Sequence, residues 1–137
     1  MNTKSIIAGV LAGVALFLLG WLFYGILLAD TMAGFAGTAK DAMRAPEEVS
    51  MPFLALGNLC VGFLLAYIFS NWANISTFMG GVKAGAIIGL LGYGGFDFML
   101  YGTTNMMVIQ GLFLDIAVST VMWAIAGGIA GWWLGRK

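Results

Sequence analysis

Asp97 and Asp115 are the residues of this chain best suited to chemistry, because each places a carboxyl group inside a long apolar run. In hydrocarbon such a group costs about 2.5–3.5 kcal/mol at a helix centre, so it faces a partner or a wet cavity. Two of them could bind a proton, a cation or a polar head group, and as neighbours they would titrate as a coupled pair. Tyr24 and Asn58 add hydrogen-bond donors in two further apolar runs. With outer ends near residues 29, 51, 102 and 107, Tyr24, Asn58, Asp97 and Asp115 lie roughly 8 to 12 Å inward at about 1.5 Å per residue. One polar side chain per run then occupies nearly the same depth. The plainer reading is that hydrogen-bonded aspartates tie the helices together.

Little else in the sequence suggests reactivity. Histidine is absent, which removes the commonest transition-metal ligand and the usual proton shuttle near neutrality. The single cysteine, Cys60, lies in an apolar run and is expected to be a small buried hydrophobe. Ser119 and Thr120 suit hydrogen bonding between helices better than nucleophilic attack. No enzyme, metal site or cofactor is expected. Lys+Arg and Asp+Glu number six each, so no basic field exists to attract nucleic acid.

The elements that must position these groups are set by composition. With 137 residues, 61% hydrophobic and 9% charged, and a mean hydropathy of +0.98, the chain is too apolar for a small soluble domain. It reads as an all-α integral membrane protein, one transmembrane domain over 1–137, with spans at about 5–29, 51–71, 84–102 and 107–134. The first run is longer than an ordinary signal-peptide core and lacks a small-x-small site before Asp30, so a retained helix is expected. Gly102-Thr103-Thr104-Asn105 is short and rich in turn formers, which predicts a tight connection and two antiparallel hairpins.

Residues 31–45 place Met32, Phe35, Ala39 and Met43 near helical spacing, with Lys40, Asp41 and Arg44 on another face. That pattern predicts a short interfacial helix between the first and second spans. Pro46 followed by Glu47 and Glu48 reads as a helix start. Four spans put both termini on one side with Lys4, Lys83, Arg136 and Lys137, against Lys40 and Arg44 on the other. The positive-inside rule then predicts cytoplasmic termini. The Asn74-Ile75-Ser76 sequon falls on the same side and is a chance match.

Glycine occurs 21 times, and part of it is spaced by four: Gly9 and Gly13, then Gly81, Gly85 and Gly89, then Gly127, Gly131 and Gly135. Each set shares a helix face. Lipid supplies little hydrophobic drive between helices, so close backbone approach becomes a main source of association. Gly9, Gly13, Gly85, Gly89, Gly127 and Gly131 are the candidate packing residues. Trp21, Trp72, Trp132, Trp133 and Tyr101 stand near span ends, where interfacial anchors belong.

Gly20-Trp21-Leu22-Phe23-Tyr24-Gly25, Leu65-Ala66-Tyr67, the Gly85, Gly89 and Tyr93 series leading to Phe96-Asp97, and Leu114-Asp115 cover most of the chain. Together they resemble small bacterial four-span membrane proteins grouped as domains of unknown function. Phe98-Met99 departs from the Leu-Thr-Asn run typical after the aspartate. The resemblance implies a four-helix fold in a bacterial inner membrane and supplies no activity to transfer. The leading expectation is a small membrane subunit or scaffold that contacts lipids and packs against partner helices or itself. The competing one is an oligomeric ion or proton-coupled permeation module built on the Asp97/Asp115 layer.

Overall fold

The computed structural model describes residues 2–39 and 42–137 and is all-helical, with four helices long and apolar enough to cross a membrane. They are α1 (Thr3–Leu27), α3 (Met51–Trp72), α4 (Phe78–Thr103) and α5 (Ile109–Leu134). A short helix, α2 (Ala29–Gly34), follows α1. The Asn2 side chain caps α1 by accepting from the Ser5 amide at 2.9 Å. Thr77 does the same for α4 through the Gly80 amide at 3.1 Å. Asn74, with φ 49°, takes the left-handed conformation just past the end of α3. α4 starts at Phe78, so Lys83 lies within its first turns rather than before it.

α1 and α5 pack on each other in the middle; α3 packs chiefly on α1, and α4 chiefly on α5. The shared core runs through Ala8, Ala12 and Leu16 of α1, Leu65, Ala66 and Phe69 of α3, and Met122, Trp123, Ala126 and Ala130 of α5. Half of the α5 window is buried but only 22% of those of α3 and α4, which makes α5 the spine of the structure. Lys4 Nζ donates to the Arg136 carbonyl and brings the start of α1 to the end of α5.

Glycines create the two tightest seams. A Cβ on Gly62 would overlap the Gly9 carbonyl and the Gly13 backbone, and one on Gly13 would come within 2.8 Å of Leu59 Cα. Between α4 and α5, Gly81 and Gly85 face the Gly127 and Trp123 carbonyls, while Gly127 and Gly131 face the Gly81 and Thr77 carbonyls. Gly89 meets the Trp123 side chain instead, at 2.7 Å.

The connections differ from the sequence reading. Helix covers Ala29–Gly34 rather than 31–45; beyond it the backbone straightens and pairs with the segment before α5. Gly37 N donates to Met106 O at 2.9 Å, Ala39 N to Asn105 O at 3.0 Å, and Val108 N to Phe35 O at 2.9 Å. Glycine at 37 permits this, since a Cβ there would overlap Asn105. Lys40 and Asp41 lie outside the described residues. Cys60, expected to be buried, is exposed on α3, because α1 takes the opposite face with Gly62.

Candidate functional site

Three helices meet at the aspartates. α1 widens into a π-helical segment over Trp21–Leu27, and Tyr24 stands within it. α4 does the same over Gly89–Tyr93, directly before the turn that holds Asp97. A π segment inserts residues into the helical register and re-aims side chains, and such insertions are frequent at functional sites. Asp115 projects from the regular first half of α5.

The Tyr24 hydroxyl donates to Asp115 Oδ1. Asp97 is 2% exposed and Asp115 7%. The two carboxyl groups face each other within hydrogen-bonding range. Among the described residues, Asp97 Oδ2 is buried with no hydrogen-bond partner. Tyr93, one turn before Asp97, stands near both carboxyl groups, with its ring 6.5 Å from that of Trp123.

Of the four residues read as one layer, Tyr24, Asp97 and Asp115 are therefore brought together. Asn58 is not among them. Its amide donates to Leu54 O on its own helix at 2.8 Å, because α3 packs on α1 and leaves the face of α5 to α1 and α4. Tyr93, named in the sequence only as part of the Gly85, Gly89 and Tyr93 series, stands close to the layer without having been read as a member of it. Tyr93 ends the π-helical segment, so regular helical counting from Asp97 gave no dependable signal for it.

An open cleft of about 880 Å³ lies where α4 ends and α5 begins, lined among others by Thr38, Tyr101, Thr104, Asn105 and Gln110. Tyr101 is one turn beyond Asp97 on α4, and Gln110 about a turn and a half before Asp115 on α5. The cleft thus opens close above the aspartates. No group of three metal-ligating side chains comes together among the described residues.

These features define an all-helical protein with four helices able to span a membrane and a pair of buried aspartates bonded to a half-buried tyrosine. No known protein family, characterised protein or solved structure matches the chain.

Proposed function

We propose that this protein is a small multi-pass subunit or scaffold of the bacterial inner membrane, packing against partner helices or a second copy of itself. The observation that carries the reading is the placement of the glycines left over from the internal seams. Gly57 on α3 and Gly92 and Gly95 on α4 have nothing within 4 Å of a Cβ position. They lie among large exposed apolar groups such as Phe53 at 76% and Leu91 at 70%. A glycine in a membrane helix forgoes side-chain contact unless another backbone approaches it. Both outer helices therefore offer a close-approach face.

In this reading α1 with α3, and α4 with α5, form two antiparallel hairpins, with α2 at the outer interface. The resemblance to small bacterial four-span proteins supports the same arrangement. Cytoplasmic termini follow from the basic end formed by Lys4, Arg136 and Lys137, where the Arg136 guanidinium lies over Trp132 and Trp133 at 4.8 and 5.2 Å.

The association is tested by Gly92→Cys in a Cys60→Ser background, oxidised in membranes and then purified in mild detergent with mass spectrometry of whatever co-purifies. A disulfide-linked dimer supports self-association, and a stoichiometric membrane protein lost in Gly92→Leu supports a partner. A monomer that retains only lipid defeats the reading.

Topology has its own test. Ser76→Cys and Met43→Cys, the latter position 60% exposed, are expected to react with an impermeant maleimide from opposite sides of the membrane. Labelling of both from one side would overturn the four-span topology.

A further inference from the structure

The geometry points to Asp97 and Asp115 jointly holding one exchangeable proton, reached through the cleft between Tyr101 and Gln110. This goes beyond the packing role and does not depend on it. An acidic pair alone would say little, but Asp97 is only 2% exposed, and its Oδ2 has no partner among the described residues. The neighbouring Asp115 carboxyl already accepts from Tyr24 through its Oδ1. Only a donor or a cation can satisfy the remaining oxygens.

Among the described residues, the surrounding elements supply no fixed positive charge. Tyr24 from α1 contacts the pair directly, and Tyr93 from α4 lies in its neighbourhood. Lys83, on the same helix as Asp97, lies fourteen residues away, roughly 21 Å along the axis at 1.5 Å per residue. Two carboxyl groups within hydrogen-bonding range of each other leave space for a proton between them. A sodium-sized ion would need several further oxygen ligands, and two tyrosines do not complete such a shell.

The nearby cleft supplies the exchange route. Tyr101, Thr104, Asn105 and Gln110 line it with neutral polar groups, which can order water without competing for the proton. Release passes the shared proton to that water and leaves both groups as carboxylates; uptake reverses the step. Tyr24 keeps its O–H bond to Asp115 throughout and acts as a positioning residue.

The test is isotope-edited infrared spectroscopy of the protein carrying carbon-13 aspartate, in neutral-lipid vesicles near neutral pH. The expected result is one protonated aspartate carboxyl per chain, with a band that shifts in heavy water. Asp97→Asn and Asp115→Asn should each abolish or displace it, and the exposed Glu47→Gln should leave it unchanged. Tyr24→Phe retains both acids and should displace the band by removing a donor, which keeps the test informative if the asparagine variants misfold. Absence of the band, or a band untouched by all three layer variants, overturns the proposal. Loss of the band on adding sodium at constant pH, with one sodium bound per chain, also overturns it in favour of a metal-ion site.

Discussion

Replacing Gly127 with leucine is expected to destabilise the fold by about 3 kcal/mol or more, at or beyond the upper end of ordinary overpacking. The new Cβ would overlap the Gly81 carbonyl and stand 3.0 Å from Gly85 Cα. Both obstacles are backbone, so no rotamer change relieves them, and α4 would have to move away from α5. Separation of these helices also opens the Asp97–Asp115 contact, since the two acids sit on the same pair. Gly131→Leu meets the Thr77 carbonyl and should behave alike. Leu90→Ala trims a side chain that is 49% exposed and should cost much less. Thermal unfolding in detergent compares the three, and equal midpoints would remove the argument for a glycine seam.

The second large effect is expected at Tyr24. Tyr24→Phe keeps the ring and deletes the hydroxyl that donates to Asp115 Oδ1, leaving a buried acceptor unpaired at a cost of about 1–3 kcal/mol. This bond joins α1 to α5, the two central helices, so its loss should also loosen the contact between the two halves of the protein. Asn58→Ala removes a hydrogen bond made only to its own helix and should change stability by no more than about 0.5 kcal/mol. Urea or thermal titration in the same detergent separates the two. An Asn58 variant as unstable as the Tyr24 variant would show that the layer extends to α3.

The length of four apolar runs determined that this chain is helical and apolar enough to cross a membrane four times, because a helix satisfies its backbone hydrogen bonds within one such run. Spacing also put glycines on shared helix faces, though not Gly62, which meets Gly9 and Gly13 in the α1–α3 seam. Residues four apart share a face whatever lies opposite, and Gly81, Gly85, Gly127 and Gly131 are the points of closest approach between α4 and α5. The isolated carboxyls stood out for an equally local reason, the cost of burying charge.

Which polar groups meet was decided by tertiary structure. Tyr24 and Tyr93 lie in π-helical segments, and the extra residue in each wide turn moves every later side chain around the helix in a way that counting at 3.6 per turn does not follow. Asn58 has a suitable depth in sequence, yet its amide bonds only to its own helix, because depth along an axis carries no information about which helix stands alongside. The outer connections were hidden for the same reason. Residues 35–39 give up helix for backbone pairing with 105–108, a partner about seventy residues away that no local pattern names.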